Sequence, residues 1–156
     1  FYDRQKNLIG VTGRALNASE LRYLTLRFDD NEPLIFNLDK VDFNQPLYVV
    51  EGPIDSLFLD NCIAVAGSDF SKVTNQISKS NSTLIFDNEP RNKEIVKKMK
   101  SMSEQGYKVC VWPETILEKD INDMVLNRIP DISGVIKENT KQGLELSLAI
   151  NNWSKV

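Results

Sequence analysis

Acidic residues stand directly after apolar runs at several points of this 156-residue chain. Glu51 follows Leu-Tyr-Val-Val (47–50), Asp87 and Glu89 follow Thr-Leu-Ile-Phe (83–86), and Asp120 comes one loop after Tyr-Lys-Val-Cys-Val-Trp (107–112). Asp55 lies four residues beyond Glu51, about one helical turn on. Taken singly, Asp87 and Asp120 read as helix caps, because a short acid after a strand commonly accepts from the first turn of a helix. Glu51 reads otherwise. It is a long acid set before Gly52-Pro53, where a cap would be Ser, Thr, Asp or Asn, and Gly52 leaves room for close backbone approach. Carboxylates gathered at one place repel one another unless cations neutralise them. Two divalent metals about 3.5–4 Å apart would do so, and would suit in-line displacement at phosphorus.

Composition narrows the chemistry. The chain has no histidine, which removes Ser-His-Asp triads, Cys-His dyads, HExxH zinc sites and imidazole general bases. An oxygen-only donor set favours Mg²⁺, Mn²⁺ or Ca²⁺. The two cysteines, Cys62 and Cys110, sit inside apolar strand-like runs and read as buried thiols of a reducing compartment, and no CxxC pair is available for a zinc ribbon. The net charge of −3 counts against strong autonomous DNA binding, although metal-holding carboxylates themselves contribute to it. No run is long enough for a membrane span and no leader pattern opens the chain, so a cytoplasmic location is expected.

The acids need a scaffold that brings strand ends together. From residue 46 onward, buried strands alternate with amphipathic stretches: strands at 47–50, 62–66, 83–86 and 107–112, and helices at 53–60, 70–79 (after Gly67-Ser68-Asp69) and 90–105, the last stopped by Gly106. A further helix is capped by Asp120. That alternation predicts an α/β fold, a parallel sheet flanked by helices, with ligands beyond the carboxyl ends of the strands. The first 45 residues predict a small β-rich subdomain of short strands. The core spans 46–130, and 131–156 is a helical tail whose terminal helix covers about 140–153. Lys93, Lys97, Lys98 and Lys100 read as a solvated helix face. Trp112 and Trp153 read as packing residues.

Val-Val-Glu-Gly-Pro-Ile-Asp (49–55), followed by a strand and then Phe-Asp-Asn-Glu-Pro (86–90), resembles the Toprim signature: a Glu-Gly after the first strand and an acidic DxD pair after the third. The resemblance implies a Toprim-like sheet. It matches Glu51 to the family glutamate and Asp87 and Glu89 to the acidic pair, with Glu89 in place of the usual Asp. It implies catalysis by Glu51, Asp87 and Glu89, with Mg²⁺ (or Mn²⁺) held by these and by Asp120 and Asp55. Upstream, GVTGRALNASELRYL (10–24) resembles the bacterial-type DNA primase segment in which Gly-Arg precedes a basic-Tyr-Leu triplet. By that match Arg14, Arg22 and Tyr23 contact nucleic acid or nucleotide, Arg22 standing where Lys is usual. Downstream, Glu-Lys-Asp-Ile-Asn-Asp (118–123) resembles the primase Lys-Asp-x-Asp motif. Lys119 and Asp120 match it, Asn122 replaces the second Asp, and Asp123 lies one place later. Residues 136–156 look like the tail of primases from T-even-like phages.

The resemblance therefore implies a nucleotidyltransferase making RNA primers from ribonucleoside triphosphates on a single-stranded DNA template. A replicative helicase is the expected partner, and a zinc-binding module is expected elsewhere. Two rivals share the same acids: a Toprim nuclease, and a non-enzymatic recombination or replication scaffold.

Overall fold

The apolar strands alternate between two faces, and that alternation builds the molecule. The computed structural model describes residues 1–16, 23–65 and 70–156. Arg22 and the Gly67-Ser68-Asp69 segment lie outside the described residues. The chain opens with an antiparallel hairpin, β1 (Gly10–Arg14) and β2 (Tyr23–Arg27), in which Thr12 faces Thr25 and Arg14 faces Tyr23. Then follow β3 (Ile35–Phe36), β4 (Leu47–Val50), β5 (Cys62–Val65), β6 (Ser82–Ile85), α1 (Lys93–Glu104), β7 (Lys108–Cys110), α2 (Ile121–Leu126), α3 (Ile132–Asn139), β8 (Thr140–Lys141) and α4 (Gly143–Trp153).

The last six strands form one sheet in the order β3-β5-β4-β6-β7-β8. The four central strands run parallel, and the two short edge strands run antiparallel to their neighbours. Because side chains alternate along a strand, Val49, Ile63, Val65, Leu84 and Val109 enter one core with Met99 of α1 and Leu146 and Ile150 of α4. Val50, Cys62, Ala64, Ile85 and Cys110 enter the other, with Ile121 and Met124 of α2 and Ile136 of α3. Both faces are thus covered, as expected for a parallel sheet. Both cysteines are buried and free, and burial pushes both thiols up.

Several elements differ from expectation. The third strand of the N-terminal region, β3, hydrogen-bonds to β5 of the large sheet, and β8 ties the C-terminal region to β7. The helix expected over 53–60 is a tighter 3₁₀ turn at Asp55–Phe58, with Ser56 Oγ donating to Pro53 O at 2.7 Å. The helix expected over 70–79 is a single 3₁₀ turn, Phe70–Lys72, followed by turns. Phe70 and Val73 anchor it in the core, but Thr74, Asn75 and Ser78 favour local side-chain bonds over helix; Thr74 Oγ1 donates to Ser71 O at 2.8 Å. The long helix begins at Lys93 rather than Pro90, capped by Asn92, whose side chain accepts from Glu94 N and Ile95 N. Gly106 ends it at φ +86°, a conformation that favours glycine. Among the described residues no helix is long and apolar enough to cross a membrane.

Candidate functional site

Three strand ends deliver the acids. Glu51 follows β4, and Asp87 follows β6 after the buried Phe86. Asp120 caps α2 after the loop that leaves β7, accepting from Asp123 N at 2.8 Å. Asp55 opens the 3₁₀ turn and accepts from Asn122 N at 2.9 Å. Glu51, Asp55, Asp87 and Asp120 all border one cleft of about 800 Å³. The hairpin lines it too, through Thr12, Arg14, Tyr23, Thr25 and Arg27. Period-two alternation puts these five on one hairpin face. Arg14 Cζ lies 5.6 Å from the Tyr23 ring centroid, and Thr12 Oγ1 and Thr25 Oγ1 are 2.9 Å apart. Arg27 is tied back to the chain, donating to Glu32 O at 2.8 Å.

The acids are strained electrostatically. Asp87, whose side chain is 23% exposed, has its carboxyl pushed up to about 7, first by burial and then by the charge of Glu51, with Asp55 and Asp120 adding to it and Lys119 opposing. Burial also raises Glu51, which accepts from Asp87 N at 3.3 Å. Asp55 is raised by burial and by Asp120. All three are raised chiefly by burial, and the positive charge beside them does not offset it. Hard carboxylate oxygens in that setting fit Mg²⁺ or Mn²⁺. Among the described residues, no three acids are drawn around one ion-sized point.

Glu89 stands apart. It lines a neighbouring hollow of about 660 Å³, with Asn88, Arg91 and Trp153, rather than the main cleft. Its carboxylate is held below the usual range by the Asn92 side chain, which donates at 2.9 Å, and by Lys119. Lys119 links the two hollows: its Nζ is 3.2 Å from Glu89 Oε1 and 3.6 Å from Asp87 Oδ2.

Asn88, between the two acids, is the residue the sequence did not reveal. Its Nδ2 donates to Ile116 O at 2.9 Å and Glu118 O at 3.1 Å, and its backbone N donates to Lys119 O. Its Oδ1 accepts from the Trp153 indole at 3.1 Å. One amide thus locks the loop before Asp120 to the end of β6 and to α4. An Asn in an acidic turn carries no signal of that role. Thr12 and Thr25 could have been found by stepping two residues along each strand from Arg14 and Tyr23.

No protein-family model matches the chain. It is 31% identical over 149 residues to the DNA primase of Enterobacteria phage T4, a match covering 92% of this chain and 43% of that protein. The chain therefore spans less than half the length of that curated relative. Its fold is similar to a solved DnaG catalytic core (TM-score 0.66, 18% identity, 97% of this chain and 53% of that chain). It is similar also to the E. coli primase catalytic core (TM-score 0.68, 16% identity, 97% and 53%). A third neighbour is the Aquifex aeolicus primase comprising zinc-binding and RNA polymerase domains (TM-score 0.60, 18% identity, 97% and 38%). The mostly parallel α/β fold and the likeness to Toprim-type primases read from the residues are both borne out.

Proposed function

We propose that this relative of DNA primases, built on the fold of their catalytic core, joins ribonucleoside triphosphates into primers on single-stranded DNA during replication. The observation that carries this reading is the cleft itself: carboxylates at strand ends and Arg14 and Tyr23 of the hairpin line the same space. Acids that hold metal and a cation that attracts phosphate are the two halves of a nucleotidyl-transfer site.

Glu51 and Asp87 would hold Mg²⁺ or Mn²⁺, with Asp120 and Asp55 as peripheral or water-mediated ligands and Glu89 joining from the adjacent hollow. Bound there, a divalent cation supplies a lowered pKa for the primer hydroxyl and neutralises the triphosphate. Arg14 attracts phosphate, and the Tyr23 ring borders the same space. Asp55 is fixed by Asn122 N and lies close against Gly52. Arg22, from the same motif, is assigned to template or nucleotide by its likeness to the family triplet. The hydroxyl attacks the α-phosphate in line and pyrophosphate leaves, so bond making and breaking occur at one phosphorus. A replicative helicase is the proposed partner, and the cytoplasm (of the host, for a phage-encoded chain) the proposed location.

Labelled single-stranded DNA incubated with the protein, ribonucleotides and Mg²⁺ tests the reading. New short RNA is expected; shortened DNA instead would establish a nuclease. Glu51→Gln should lower primer yield by about a hundredfold or more while leaving the circular dichroism spectrum unchanged. Full activity in that variant would remove Glu51 from the mechanism.

A further inference from the structure

Positive charge is scarce where the acids converge, and Lys119 stands at the point of greatest need. Its ammonium lies within ion-pair distance of Asp87, which borders the main cleft, and of Glu89, which borders the adjacent hollow. An ammonium there does for two carboxylates what a cation does, but with one charge against two. A divalent ion would balance them fully.

The main chain and side chain of Lys119 are held differently. The carbonyl accepts from Asn88 N at 2.6 Å. The preceding Glu118 and Ile116 carbonyls accept from the Asn88 amide, itself locked by the Trp153 indole. The loop is therefore fixed, whereas the side chain is 53% exposed on a flexible four-carbon stem. It can swing without any rebuilding of the backbone. Lys119 also lines the main cleft, as Arg14 does, so its ammonium borders space open to a ligand.

We propose that Lys119 is the displaceable counter-cation of the metal-free site. It stays paired with Asp87 and Glu89 until a divalent cation held by Glu51 and Asp87 displaces it. The released ammonium then turns into the cleft toward the phosphates of the nucleotide. The inference rests on the reading that these acids bind Mg²⁺ or Mn²⁺, and adds that binding is an exchange rather than a simple addition. Because exposed ion pairs are individually weak, removing the competitor should tighten divalent binding roughly three- to tenfold, not by orders of magnitude.

Calorimetric titration of Mn²⁺ into the whole chain and into Lys119→Met and Lys119→Arg variants tests this. Mass-spectrometric measurement of how fast an amine-reactive reagent labels Lys119, with and without Mg²⁺, accompanies it. Lys119→Met is expected to bind Mn²⁺ three- to tenfold more tightly than the parent. Lys119→Arg, which retains a competing cation, should stay close to the parent. Saturating Mg²⁺ should raise the labelling rate at Lys119. Equal or weaker Mn²⁺ binding by Lys119→Met, or labelling that Mg²⁺ leaves unchanged or slows, overturns the exchange while the metal site stands. Absence of Mn²⁺ binding in parent and variants alike overturns the metal site and the exchange with it.

Discussion

Replacing Asp87 with Asn should stabilise the metal-free protein at pH 8 while disabling the site. The folded-state carboxyl titrates near 7 against an ordinary value of 3.8. Between those values the folded chain binds a proton that the unfolded chain does not, so stability falls as pH rises through the window. Three units at about 1.4 kcal/mol each amount to roughly 4 kcal/mol, fully present below about pH 4 and lost above about pH 7. Relaxation and water entry around a side chain that is 23% exposed reduce this, so about 1–3 kcal/mol is the working expectation. An amide is nearly isosteric and carries no charge to desolvate. Urea unfolding of parent and Asp87→Asn at pH 5 and pH 8, in EDTA, reads the effect directly. At pH 8 the variant midpoint should lie higher by about 0.5–1.5 M, given an unfolding slope of about 2 kcal/mol per molar urea. At pH 5 the gap should shrink to about a third of its pH 8 size, because the folded carboxyl is still protonated there while the unfolded one is already ionised. Millimolar Mg²⁺ at pH 8 should raise the parent and leave the variant nearly unmoved. A variant less stable than the parent at pH 8, by the same margin as at pH 5, would refute the account in which burial and neighbouring charge raise Asp87.

Two other substitutions probe how the site is held. Asn88→Ala removes side-chain bonds to Ile116 O, Glu118 O and the Trp153 indole. Loss of about 2–3 kcal/mol is expected by urea unfolding, and unchanged stability would mean the loop is positioned by something else. Gly52→Ala would set a Cβ against Asp55 Oδ2, pushing that carboxylate off Asn122 N. Faster hydrogen exchange at the Asn122 amide is expected, with protection of the strand amides intact; unchanged exchange at Asn122 would show that Asp55 is not displaced.

The core strands and the acids at their ends were legible because both rest on strong, local signals. Leu-Tyr-Val-Val is apolar on consecutive positions only because β4 is buried on both faces, and Glu51 stands out by ending it. Gly106 was legible as a helix stop for the same reason: one residue type suits a positive φ. The 70–79 segment misled because Phe70, Val73 and Ile77 repeat at roughly helical spacing, while the hydroxyl and amide residues between them satisfy the backbone in turns. The placement of Glu89 in a separate hollow was not legible at all. It depends on how Asn88 bonds the 116–119 loop, a contact between residues some thirty positions apart. β3 joining the large sheet is likewise a pairing across the chain, with β5, which no local pattern specifies.

A crystal structure of the chain with Mn²⁺ and a non-hydrolysable ribonucleoside triphosphate, located by anomalous scattering, tests the central claim most directly. The account predicts manganese bound by Glu51 and Asp87, Lys119 withdrawn from Asp87, and the triphosphate in the cleft facing Arg14. Manganese and nucleotide bound away from Glu51 and Asp87, with Lys119 still paired to both acids, would contradict it.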